Sequence, residues 1–187
     1  MKRFYDKLNN RIIYYGDKAS PLYWDKHWGS KKINKNVYSV GLIGIFKKLF
    51  YRGSGSKIAR YTKKYLPINS KIIEGGCGLG QYVNELNESF DIVGVDSAPE
   101  TIDRIKKIYP DLNIKKDDVR KLSFESNFFD GYWSLGVVEH FWDGYDNILN
   151  EMSRVIKNGG YLFITFPHMS KLRKLKSFFG FYTNMKE

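Results

Sequence analysis

A chain of 187 residues, 42% of them hydrophobic, carries enough apolar side chain for one packed domain and leaves no room for a second. No apolar run approaches the roughly 20 residues of a membrane-spanning helix, and the lysine-rich start lacks the apolar centre of a secretory signal, so the expected location is the cytoplasm. The formal net charge of +11 would suit a phosphate-rich partner, but Lys, Asn, Ile, Tyr and Phe are abundant together, as an AT-rich coding sequence would give, which makes the charge weak evidence for a nucleic acid.

In chain order, Phe4, Leu8, Ile12 and Tyr15 recur at helical spacing with charges between them and predict an amphipathic helix over 4–15. Tyr23-Trp24-Asp25-Lys26-His27-Trp28 is dense in aromatics and, if helical, puts Trp24 and Trp28 on one face. Those rings either anchor this region to a core or close over a ligand. The stretch from Val37 to Phe50 turns from apolar to basic, suiting a helix that packs on the core or meets a membrane surface, and Gly53-Ser54-Gly55-Ser56 reads as a turn. Residues 1–66 are therefore expected as an N-terminal helical cap or substrate region, and 67–187 as the core.

Lys57 to Leu66 predicts a helix closed by Pro67. Beyond it, strands are expected near 71–75, 91–96, 112–116, 129–135 and 160–167, alternating with helices near 80–88, 99–108 and 144–156. Alternation of this kind means an α/β fold, a Rossmann-like doubly wound and mainly parallel sheet, whose ligands bind outside the carboxyl ends of the strands.

The first of those ends is Ile72-Ile73-Glu74-Gly75-Gly76-Cys77-Gly78-Leu79-Gly80. Glycines at 76, 78 and 80 allow positive φ and bring main-chain N–H groups close to a ligand. A dinucleotide loop needs G-x-G-x-x-G, but counting from Gly76 the third place is Gln81, and from Gly78 it is Val83. The acid just before the loop, Glu74, favours a ligand carrying an ammonium group over a pyrophosphate. Cys77 is the single cysteine and fits between the glycines as a small packing residue. Asp91 to Asp96 reads as a strand ending in an acid, and Lys116 to Leu122, Phe129 to His140 and Val155 to Gly160 supply further strand-end segments.

Taken together and in this order, these segments resemble the class I S-adenosylmethionine-dependent methyltransferases from Lys71 to His168. The resemblance implies S-adenosyl-L-methionine as cofactor. It implies Glu74 and the loop residues Gly76, Cys77, Gly78 and Gly80 at the methionine end and Asp96 on the ribose. Ser97 follows, where relatives carry an apolar residue against adenine. Asp118 and Val119 would take the adenine edge, and Leu135 a backbone contact near the sulfonium. No metal is expected. Relatives continue past strand five into two more strands, whereas here only a basic and aromatic stretch follows His168, so the sheet is expected to be truncated after strand five. The alternatives are a compact variant of the fold and a protomer whose open edge is covered by a second copy or another partner.

The acceptor is less legible. Leu135 to His140 replaces the Asn/Asp-Pro-Pro-aromatic loop of DNA amine methyltransferases, and Cys77 lies in the cofactor loop rather than an acceptor pocket, which argues against DNA. His140 is the candidate base, with Glu139 orienting it; the alternative is that the pair holds the strand exit together. The expected function is methyl transfer to an oxygen or nitrogen of a small-molecule acceptor. A catalytically impaired scaffold and an RNA-modifying enzyme are the alternatives.

Overall fold

The computed structural model describes residues 2–6, 11–15, 20–31, 55–141, 144–181 and 183–184. The stretch from Val37 to Phe50 lies outside them. The central sheet has five parallel strands: β3 (Lys71–Gly75), β4 (Asp91–Asp96), β5 (Ile114–Lys116), β6 (Phe129–Leu135) and β7 (Ile156–Thr165), in the order β5-β4-β3-β6-β7. Helices α2 (Gly55–Tyr65), α3 (Gln81–Leu86), α4 (Pro99–Ile108) and α5 (Asp146–Val155) connect or cover them. The chain winds outward from β3 through β4 to β5, then returns to β6 beside β3, so loops leaving β3 and β6 diverge and open a cleft between them.

Alternation along the strands divides the core into two layers. Ile72, Ile92 and Trp133 face one side, with Val83, Leu86, Ile102 and Ile105 from α3 and α4 packed upon them. Ile73, Val93, Val95 and Tyr132 face the other, against Ile148, Met152 and Val155 of α5. Helix α2 joins the first layer through Ile58 and Ala59, and Leu66 just beyond its end is buried there too. Its Thr62 is fully buried; the hydroxyl donates to the Ile58 carbonyl at 2.8 Å and accepts from the Trp133 indole N–H at 3.0 Å. Thr62→Val keeps the shape and orphans that indole donor. The expected cost is about 1–3 kcal/mol in urea-induced unfolding.

The first helix expected from the sequence, over 4–15, is instead a pair of antiparallel strands, β1 (Lys2–Asp6) and β2 (Arg11–Tyr15), with Phe4 opposite Ile13 and Tyr5 opposite Ile12. Helical spacing was shared by only four apolar residues, whereas the segment is rich in Phe, Tyr and Ile, which favour strands, and carries Asn9-Asn10 at its centre, which disfavours a helix interior. β1 also pairs in parallel with the short β8 (Thr183–Asn184). The aromatic segment is a helix, α1 (Pro21–Gly29), started by Ser20, whose hydroxyl accepts from Tyr23 N–H, and by Pro21 in the first turn. After β7 comes α6 (Lys171–Phe178), capped by Ser170. Among the described residues β7 is an edge strand, with Tyr161 and Leu162 partly exposed and Phe166 more so. No helix among the described residues is long and apolar enough to cross a membrane.

Candidate cofactor and acceptor cleft

The glycine loop is folded back onto the end of β4. Gly76 and Cys77 N–H both donate to the Val95 carbonyl, at 2.8 and 2.9 Å, and Gly78 N–H donates to Asp96 Oδ2 at 2.8 Å. Gly78 has φ +51°, and a Cβ there would lie 2.7 Å from the Trp28 ring, so both backbone and packing require glycine. Asp96 completes the turn by accepting from Ala98 N–H through Oδ1 at 3.0 Å. Each of its oxygens thus spends one lone pair on the backbone and keeps another. The side chain is 6% exposed and borders the cleft, and burial raises its pKa against those hydrogen bonds.

The opposite wall comes from the 117–123 turn and the exit of β6. Asp117 accepts from Ser123 N–H and hydroxyl, each at 2.9 Å, and from Asp118 N–H, which fixes the turn. Glu151 and Arg154 of α5 clamp the same segment: Glu151 accepts from Leu122 N–H, and Arg154 donates to the Leu122 and Phe124 carbonyls. Asp118 is turned into the cleft, where Arg120 grips its carboxylate with Nε and Nη2 and holds its pKa below the usual range. A ligand amine would share that carboxylate with the guanidinium.

The cleft holds about 310 Å³ and collects Gly76, Asp96, Ser97, Asp118, Val119, Leu135 and His140 of the expected site. Four expected cofactor residues stand behind its wall. Cys77 is buried with its sulfur against Gly94, and burial pushes its thiol well up; Gly80 packs on Ile114, and Gly78 under Trp28. Glu74 is 2% exposed, its Oε2 has no hydrogen-bond partner among the described residues, and burial pushes its carboxyl up to about 8. At neutral pH the unliganded carboxyl is therefore mainly uncharged, so the attraction expected for an ammonium group requires Glu74 to lose a proton first.

His140 sits in the short 3₁₀ turn after β6 (Val138–His140), edge-on to Trp24 with ring centroids 4.8 Å apart. Burial and the nearby His27 lower its pKa to about 4, far from the unperturbed value that recommended it as a base. Its imidazole is neutral across the physiological range and only weakly basic. Glu139 borders Gly136 rather than the cleft, with Oε2 buried and unpartnered among the described residues and its pKa raised by burial.

Of the two roles open to the aromatic segment, anchor or cover, the structure shows it lining the cleft. Tyr23, Trp24, His27 and Trp28 of α1 line the cleft together, with Trp24 and Trp28 stacked at 6.3 Å and 24°. The aromatic cluster was the available signal, but nothing in it distinguished an anchor from a cover. Arg120, Val137 and Phe141 also line the cleft and carried no signal.

The residues present fit a zwitterionic nucleoside ligand. A buried carboxyl with one oxygen unpartnered among the described residues lies under the loop, the turn after β4 leaves Asp96 acceptor positions toward the cleft, and glycines keep Cβ atoms out of the cradle. Residues 73–164 match the family model described as a methyltransferase domain. The chain is 24% identical over 98 residues to a Mycolicibacterium smegmatis protein named as a probable S-adenosylmethionine-dependent methyltransferase, covering 52% of this chain and 38% of that one. It is 31% identical over 113 residues to an Arabidopsis thaliana tRNA (carboxymethyluridine(34)-5-O)-methyltransferase, covering 58% and 26%. A solved protein from Pyrococcus horikoshii superposes with a TM-score of 0.60 at 21% identity, over 83% of this chain and 70% of that one. The chain spans less than half the length of the curated relatives it matches. With the glycine loop after β3 and the acid ending β4, the matched residues 73–164 are a methyltransferase domain of the class I S-adenosylmethionine-dependent kind.

Proposed function

We propose that this protein transfers a methyl group from S-adenosyl-L-methionine to an oxygen or nitrogen of a small-molecule acceptor. The observation that carries the reading is the convergence of Asp96, Asp118 and Gly76 of the glycine loop on one cleft whose far side is aromatic and holds two histidines. Glu74 and the loop would hold the methionine end, Asp96 the ribose hydroxyls, and Asp118 with Val119 the adenine edge. Leu135 would lie near the sulfonium. When bound, the cofactor supplies a methyl already activated on a positively charged sulfur, so the chain has to orient an acceptor and receive its proton. His140, neutral at working pH, accepts a hydrogen bond from the acceptor hydroxyl or amine and lines it up. It takes the proton that methylation makes strongly acidic on a hydroxyl and passes it to solvent, whereas a neutral amine leaves with its proton as an ammonium product. Trp24, Phe141 and the other rings exclude water. Tyr23, Trp24, His27 and Trp28 of the N-terminal region form the acceptor side in this reading, and the β7 edge, unpaired among the described residues, is the surface for a second copy or another partner.

The test is methyl transfer from radiolabelled cofactor to a panel of small hydroxyl and amine acceptors, and in parallel to tRNA. Transfer to a small acceptor supports the reading, and His140→Ala should then lower kcat by at least about 10-fold. With a pKa near 4, His140 should impose no inflection on the wild-type rate between about pH 6 and about pH 8. Transfer to tRNA alone would replace the small acceptor with RNA. That second reading is favoured by the charge of +11 and the likeness to the plant tRNA enzyme.

A further inference from the structure

Helix α4 begins immediately after the Asp96 turn, and it begins without a cap of its own. The residue at its N-cap, Ala98, has no side-chain acceptor. The orphan N–H of Thr101 is satisfied from far away: Asp25 Oδ1 accepts it at 2.8 Å and accepts the Thr101 hydroxyl at 2.9 Å. Asp25 is 7% exposed and Thr101 3%. One turn along α4, Arg104 returns the favour to α1, donating to the Trp28 carbonyl at 2.9 Å, to Gly29 at 3.4 Å and to the Lys31 carbonyl. Each helix therefore caps the other, and α1 is pinned at its middle and at its carboxyl end.

The pinned face and the working face of α1 differ. Asp25 points at α4, whereas Tyr23, Trp24, His27 and Trp28 face the cleft, and Trp28 lies directly over Gly78. A ligand seated against Gly76 and Asp96 would lie under Tyr23, Trp24 and His27, beside the Trp28–Gly78 contact, so α1 stands across one of its ways out.

We propose that Asp25 is a positioning residue that latches the aromatic helix over the cofactor cleft and thereby slows cofactor release. This rests on the cofactor reading above. Asp25 touches neither cofactor nor acceptor; it holds Trp24, His27 and Trp28 in place through α4, and ties the roof to the same strand-to-helix turn that carries Asp96. Losing a hydrogen bond to a charged group in this position is expected to raise the dissociation rate, with little change in association.

The experiment is stopped-flow displacement of S-adenosylhomocysteine from the full chain, followed by tryptophan fluorescence, with thermal unfolding measured on the same samples. Asp25→Ala should dissociate at least about 10-fold faster than wild type while remaining folded. Trp28→Ala, which removes the roof but leaves the latch, should also dissociate faster. Equal rates in wild type and a folded Asp25→Ala would overturn the latch and leave the cofactor reading standing; no binding by wild type would overturn both. If Asp25→Ala does not fold, Thr101→Val keeps the backbone donor and removes only the hydroxyl bond. An increase of about 3-fold then supports the latch, and an unchanged rate overturns it.

Discussion

Asp96→Ala is expected to raise the dissociation constant for S-adenosyl-L-methionine by at least about 100-fold and to destabilise the fold by about 2–4 kcal/mol. Both effects come from one carboxylate used twice. Its inner lone pairs accept from Gly78 and Ala98 N–H, and these are the bonds that close the glycine loop and start α4. Its outer lone pairs face the cleft. Alanine removes the ligand contact and orphans two buried donors at once. Asp96→Asn separates the two roles: one amide oxygen can satisfy one N–H, so about half the stability should return, while bidentate recognition of two ribose hydroxyls stays lost. Calorimetric titration and urea unfolding of both variants check this. Wild-type affinity in a folded Asp96→Asn would take Asp96 out of the cofactor contact.

Glu74→Gln is expected to flatten the pH dependence of stability and to abolish a proton release on cofactor binding. The Glu74 carboxyl has its pKa raised to about 8 by burial, with Asp96 adding to the rise, against 4.5 in the unfolded chain. A raised carboxyl binds a proton on folding, so its contribution to stability is fully present below about pH 4.5 and is lost as pH rises through about 8. Over that window the loss is on the order of 5 kcal/mol, and the wild-type minus variant difference isolates it from every other titrating group. Binding reverses the balance: a ligand ammonium stabilises the carboxylate, so wild type should release up to about one proton at pH 7, and Glu74→Gln none. Titrations in buffers of different ionisation enthalpy measure this release. Parallel stability curves for the two proteins would refute the buried, protonated state.

The sheet was legible because its signals are local and repeated. Pro99 and the periodic Thr101, Ile102 and Ile105 mark α4 at its observed bounds, and apolar runs ending in Glu74-Gly75 and Asp96 mark β3 and β4. The expected 112–116 strand shortens to Ile114–Lys116, because Leu112 and Asn113 form the approach, with Leu112 already in the core. β7 starts early, at Ile156, because the Asn158-Gly159-Gly160 turn bulges out of a strand that pairs on both sides of it. The N-terminal strands were not legible, since five-residue segments of mixed aromatic and β-branched character satisfy helical and extended patterns alike, and pairing decides between them. The site was legible where one segment carries the chemistry, as in Glu74 to Gly80 and Asp96. It was illegible where tertiary contact makes the group what it is. Nothing near Asp25 in sequence says that it caps a helix 76 residues away, and the low pKa of His140 comes from burial and His27, which belongs to another element.

The most direct measurement is calorimetric titration of the purified chain with S-adenosyl-L-methionine and, separately, with NADH. Saturable one-site binding of the former and none of the latter is the predicted result. A folded chain that binds NADH, or binds neither, would contradict a cleft built for the methyl donor.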